Sequence, residues 1–184
     1  MDSFKTNIEG LLVLTPKIFK DNRGYFYESY NRNTFEKLGI TADFVQDNES
    51  FSCKNTLRGL HFQKPPFAQA KLVRVLEGAV WDVAVDLRKD SETFGKWFGV
   101  ELSAENKKQF FIPRGFAHGF SVLTPTVKFA YKCDNFYNKE SEGAIIFDDK
   151  DLNIDWKIDL SQAILSDKDL KNLSFAKYKE NPCF

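Results

Sequence analysis

Leu57-Arg58-Gly59-Leu60-His61-Phe62-Gln63 sets an arginine, a histidine and an amide inside a run otherwise apolar enough to be a buried strand. A buried guanidinium and a buried imidazole each need a partner. Either the chain supplies one or an anionic ligand arrives, and the remaining polar residues favour the ligand. Arg58 and His61 have opposite parity on a regular strand, so both face one side only if the chain bulges between them. Gly59 is the residue that permits this.

Working outward, short apolar segments alternate with turn signals in both directions. Toward the N-terminus, Leu11 to Leu14, Tyr25 to Tyr30 and Phe44 to Ser50 read as strands, with a turn over Lys20 to Gly24. Asn33 to Leu38 reads as a short helix capped by Asn33 and ended by Gly39. Toward the C-terminus, Lys71 to Leu76 and Ala79 to Leu87 read as a hairpin turned at Glu77-Gly78. Trp97 to Leu102, Gln109 to Ile112, a strand carrying His118 through Leu123, Val127 to Cys133 and Gly143 to Phe147 follow. From about residue 148, acidic turns and Trp156 read as an irregular wrap with a frayed tail. About ten short, evenly spaced strands specify an all-β antiparallel jelly roll with a few short helices, not βαβ units. A length of 184 residues suits a single domain, 1–184.

The charges balance, 26 Lys and Arg against 26 Asp and Glu. No overall field draws nucleic acid or an anionic membrane, so neither is an expected partner and any anion is bound locally. The start, Met1 to Lys5, lacks a basic patch followed by an apolar run, and no later run is long enough to span a bilayer, so a cytoplasmic location is expected. Cys53, Cys133 and Cys183 are odd in number and widely spaced, which suits neither a disulfide framework nor a thiolate zinc site.

Arg58, His61, Lys71, His118 and Tyr131 sit among core-like neighbours. Each alone has a structural explanation, such as a satisfied core histidine or a snorkelling lysine. On strands lining one barrel, however, they would bring cations and a phenol to one cavity, which is how an anion site with acid and base groups is built. Pro113, Gly115 and His118 fit the second metal-site motif of the cupin superfamily, but the first motif needs a histidine pair and a glutamate where only His61 is available. With two histidines in the whole chain, no metal is expected.

Arg23-Gly24-Tyr25-Phe26, Gln46-Asp47-Asn48, Leu57 to Gln63, Gln69 to Arg74, Asp82 to Arg88, Ile112 to Phe120 and Leu165 to Asp169 together resemble the dTDP-4-dehydrorhamnose 3,5-epimerase family. The resemblance runs from about Ile8 to about Leu170, and it implies a cupin-type jelly roll without metal or cofactor. It also implies a homodimer in which an N-terminal segment joins the partner's sheet. By resemblance His61 is the general base, Asp169 its orienting partner, Tyr131 the acid on the opposite sugar face, and Lys71 the group that stabilises an enolate oxygen. Arg23, Phe26, Glu28, Gln46, Asn48, Arg58, His118, Glu142 and Lys168 correspond to substrate contacts, and Tyr137 to a ring stacked on thymine.

The implied reaction is epimerisation of a dTDP-linked 4-keto-6-deoxy sugar at carbons 3 and 5. Both carbons flank the ketone, so loss of either proton gives an enolate. No glycine-rich dinucleotide fingerprint is present, which argues against hydride transfer. An epimerase acting at one carbon only shares these motifs; a non-catalytic sugar-binding barrel is the reading from a different class, and it is disfavoured because binding alone needs neither the base, His61 with Asp169, nor the acid, Tyr131.

Overall fold

A computed structural model describes residues 1–184. The chain forms 13 strands: β1 (Asp2–Lys5), β2 (Leu12–Thr15), β3 (Phe19–Asp21), β4 (Gly24–Phe26), β5 (Gln46–Cys53), β6 (Leu57–Gln63), β7 (Lys71–Glu77), β8 (Ala79–Asp86), β9 (Trp97–Ser103), β10 (Gln109–Ile112), β11 (Phe116–Val122), β12 (Thr126–Cys133) and β13 (Glu142–Ala144). Two helices accompany them, α1 (Arg32–Lys37) and α2 (Phe175–Glu180). One sheet has the order β1-β2-β10-β7-β12-β5, the facing sheet β13-β6-β11-β8-β9, and β3-β4 is a separate hairpin. All strand pairings are antiparallel, as in the expected jelly roll.

The hairpin expected at Glu77-Gly78 is corrected. β7 pairs with β10 and β12, whereas β8 pairs with β11 and β9 in the other sheet. Alternation shows that both segments are strands but says nothing about their partners. Gly78, at φ +78, turns the chain across the edge of the sandwich, where a Cβ would meet the Thr126 carbonyl at 2.1 Å. The expected strand over Tyr25 to Tyr30 likewise ends at Phe26. Asn31, not Asn33, caps α1: its backbone is extended and its side chain accepts from Thr34 N at 3.2 Å, while Asn33 lies inside the first turn.

Three apolar layers follow from strands buried on both faces. Val73, Val75, Phe110 and Phe129 of one sheet meet Val80, Ala84, Phe120 and Val122 of the other. Outside the second sheet, Leu57, Leu60, Val83 and Val85 are covered by Ile145, Trp156, Phe175 and Tyr178. The tail expected to fray is therefore docked. Trp156, 1% exposed, donates from Nε1 to Phe147 O at 2.8 Å, and the Tyr178 hydroxyl donates to Leu87 O at 3.1 Å. Burying each such aromatic is worth about 1.5–3 kcal/mol, enough to hold an otherwise irregular segment. Phe35 and Ile40 cover the outer face of the first sheet in the same way.

Candidate active site

The β6 stretch is displaced from regular pairing at Gly59. The step from Arg58 to His61 lies opposite the shorter step from Phe120 to His118 on β11. Gly59 has φ +145, and a Cβ there would stand 2.6 Å from Gly119 Cα. This bulge sends Leu57, Leu60 and Phe62 to the outer core and turns Arg58 and His61 to the same inner cavity.

That cavity has a volume of about 620 Å³. Its walls include Gln46, Asn48, Arg58, His61, Lys71, Tyr131, Tyr137, Glu142, Lys168 and Asp169. His61 stands on β6 of one sheet; Lys71 on β7 and Tyr131 on β12 stand on the other. The imidazole and the phenol thus approach the cavity from opposing walls.

The 164–169 segment brings Asp169 to His61 Nε2 at 2.5 Å. Ser166 Oγ donates to Asp169 Oδ2 at 2.7 Å and accepts from Asp169 N at 3.2 Å. This reciprocal pair fixes the carboxylate, and a serine three residues before an acid is a signal legible in sequence. Burial pushes the Asp169 carboxyl up, but the bonds from His61 and Ser166 outweigh it and hold it below the usual range. A carboxylate only accepts, so His61 Nε2 carries hydrogen and Nδ1 is left as the basic nitrogen.

On the facing wall, burial pushes the Tyr131 phenol up, opposed by Arg58, so it is a protonated donor at neutral pH. Burial pushes the Lys71 ammonium down. Its Nζ lies 5.9 Å from the Tyr131 ring centroid. Arg58 donates from Nε to Ser52 Oγ at 3.1 Å, which holds the guanidinium at the rim.

The polar strand face of β5 turns inward: Gln46 Nε2 donates to Asn48 Oδ1 at 3.1 Å, and Gln46 Oε1 accepts from Tyr137 N at 3.0 Å. Gln63 and Gln69 anchor the same loop, through Asn138 N at 2.7 Å and Asn135 O at 2.7 Å respectively. These glutamines position Tyr137, a task that no local pattern reveals. Lys168 pairs with Glu142 at the mouth, and that hydrogen bond holds the Glu142 carboxyl below its usual range.

Four anticipated contacts lie off these walls. Arg23, Phe26 and Glu28 belong to the β3-β4 hairpin and the segment after it, with Phe26 70% exposed. His118 is buried beside the cavity, its Nε2 2.9 and 3.0 Å from the Asp82 carboxylate oxygens and its ring stacked on Phe129. No group of three or more His, Cys, Asp or Glu side chains gathers as a metal-ligand set, and the three cysteines are free.

A jelly roll whose cavity opposes a carboxylate-held imidazole to a phenol and a buried ammonium has the architecture of a cupin-type isomerase. A family model described as dTDP-4-dehydrorhamnose 3,5-epimerase matches residues 5–177. The chain belongs to the dTDP-4-dehydrorhamnose 3,5-epimerase family. It is 54% identical over 170 residues to the enzyme of that name from Escherichia coli K12, covering 92% of this chain and 91% of that protein. The crystal structure of the enzyme from Elizabethkingia anophelis NUHP1 is 60% identical, covers 96% of this chain and 97% of that one, and superposes with a TM-score of 0.93. A Legionella pneumophila 3,5-epimerase in complex with dTDP-4-keto-L-rhamnose is 52% identical, with a TM-score of 0.90 and coverage of 94% and 92%.

Proposed function

We propose that the protein epimerises dTDP-4-dehydro-6-deoxy-D-glucose at carbons 3 and 5 to give dTDP-4-dehydro-L-rhamnose, a step in making the dTDP-L-rhamnose precursor. One observation carries the reading: His61 and Tyr131 face each other across a cavity from opposing sheets. Inversion needs a proton removed from one face of a carbon and another delivered to the opposite face. His61 Nδ1 takes the proton next to the ketone, Asp169 stabilises the imidazolium, and the electron pair moves onto the ketone oxygen as an enolate. The Lys71 ammonium stabilises that oxygen, an effect commonly worth a few kcal/mol. Tyr131 then donates to the other face, and the sugar regains its ketone. His61 then releases its proton to water and the Tyr131 phenolate takes one up, which restores both groups, and the cycle repeats at the second carbon with no cofactor.

Arg58, Gln46, Asn48, Glu142 and Lys168 hold the nucleotide and sugar, and Tyr137 stacks on the thymine. The whole chain acts as one jelly-roll domain, in the cytoplasm, as a homodimer. The exposure of Phe19, Tyr25 and Phe26 on the hairpin supports the dimer. Tyr25 OH accepts from Lys107 Nζ at 2.8 Å and Tyr27 OH from Arg74 at 3.1 Å, so the hairpin is braced on its own barrel, while Phe26 and the Arg23 guanidinium, paired with Asp21 at 2.6 Å, are exposed toward a partner's cavity. Arg23→Ala and His61→Ala proteins, mixed after separate purification, then regain activity that neither has alone.

Proton NMR of the protein with the 4-keto-6-deoxy sugar nucleotide in deuterated water, with EDTA, tests the activity. Deuterium at both carbons 3 and 5 is expected. Label at carbon 3 alone assigns the single-carbon reaction, and no label with dTDP bound assigns a binding barrel.

A further inference from the structure

Beside the cavity lies a carboxylate to which the reaction above gives no role. Asp82, on β8, is 0% exposed. Its oxygens stand 2.9 and 3.0 Å from His118 Nε2. Parity on β8 turns it inward with Val80 and Ala84, into the layer that Lys71, Val73 and Val75 enter from the opposite sheet. A carboxylate in this setting is expensive unless paired, and His118 supplies one partner.

Lys71 has the complementary problem. Its ammonium is desolvated and in electrostatic reach of two groups, Cys133 and Asp82. Burial pushes the Cys133 thiol up to about 11, so it is neutral at physiological pH. The phenol of Tyr131 on β12 is neutral as well. From β6 the cavity presents Arg58 and His61, and the carboxylates of Asp169 and Glu142 are occupied by His61 and Lys168. Asp82 is the anion left to compensate Lys71.

Resting on the epimerase reading, we propose that Asp82 is a positioning residue of the reaction. Fixed by His118, its carboxylate is the counter-charge that keeps the Lys71 ammonium protonated and aimed at the developing enolate oxygen. His118 thereby acts from behind the cavity, through Asp82: burial pushes that carboxyl up, and the His118 bonds oppose this and hold it in place. The arrangement provides a cation in the site without an ion pair close enough to quench it.

Asp82→Asn removes the charge and retains the shape. Expected are a fall in kcat of about tenfold or more, as for loss of a preorganised charge, and dTDP affinity within about twofold of wild type. The alkaline limb of the kcat–pH profile moves to lower pH, because Lys71 deprotonates earlier. In a Lys71→Met background the same substitution has no further effect on kcat, within about twofold. Additive losses, or an alkaline limb that stays in place, would overturn the proposal. Should Asp82→Asn not fold, His118→Gln and His118→Phe read the same link: the first retains an N–H donor and the limb stays, the second does not and the limb moves. Identical profiles for the two would also overturn it. A wild-type protein with neither turnover nor exchange would defeat the epimerase reading and this proposal together, whereas an active wild type with unaltered Asp82→Asn kinetics defeats this proposal alone.

Discussion

The Asp169 carboxylate meets His61 Nε2 at 2.5 Å although 108 residues separate them in the chain. The carboxylate that fixes the imidazole comes from a segment outside both sheets. Asp169→Asn retains the shape but replaces the negative acceptor with an amide. Turnover is expected to fall by about 10²–10⁴-fold, with dTDP binding retained in a calorimetric titration.

The same pair links stability to acid. Asp169 is more acidic in the folded protein than in the unfolded chain, because the bonds from His61 and Ser166 outweigh its burial. Such a group stabilises the fold above its unfolded pKa of ~3.9, and the contribution is lost as pH falls through the folded value. The melting temperature of wild type should exceed that of Asp169→Asn most at neutral pH. That gap should close on acidification below about pH 4, as thermal melts across pH will report.

Tyr131 and His61 occupy opposite walls, so their losses should be distinguishable. Tyr131→Phe deletes a hydroxyl and little volume. It should still exchange substrate hydrogen with deuterated water through His61 while inverting configuration poorly. His61→Ala should do neither, and full turnover by that variant in the NMR assay would refute the assignment of the base.

Gly59 carries the bulge that turns Arg58 and His61 to one side. Gly59→Ala puts a methyl into a left-handed φ of +145 and within 2.6 Å of Gly119 Cα. The expected cost exceeds about 1 kcal/mol in urea unfolding. Activity should fall with it, since relief of the clash displaces both side chains.

The Lys168–Glu142 pair closes the mouth over Asp169. Glu142→Gln leaves Lys168 without its anion and loosens the segment that carries Asp169. KM is expected to rise more than kcat falls, because both residues also line the cavity. Steady-state kinetics separate the two.

The apolar run of β6, the alternation of residue type along β8 and β12 and the turn residues between strands were enough to specify an antiparallel all-β fold, because side-chain period is a local property. The need for a bulge at Gly59 was equally local: Arg58 and His61 cannot share a face on regular backbone. Motif order identified the family. What the chain could not disclose by itself was partnership across distance. Ala79 to Leu87 has the pattern of a hairpin arm, yet its partners are β9 and β11, since alternation marks a face and not a neighbour. The tail looked free because its apolar residues are sparse, but the outer face of the second sheet needs a cover and Trp156, Phe175 and Tyr178 provide it. The link between His118 and Asp82, and the glutamines that hold Tyr137, exist only once strands distant in sequence lie side by side. Residue type and local period determine which groups this protein possesses, and only the closure of two sheets around one cavity decides which of them meet.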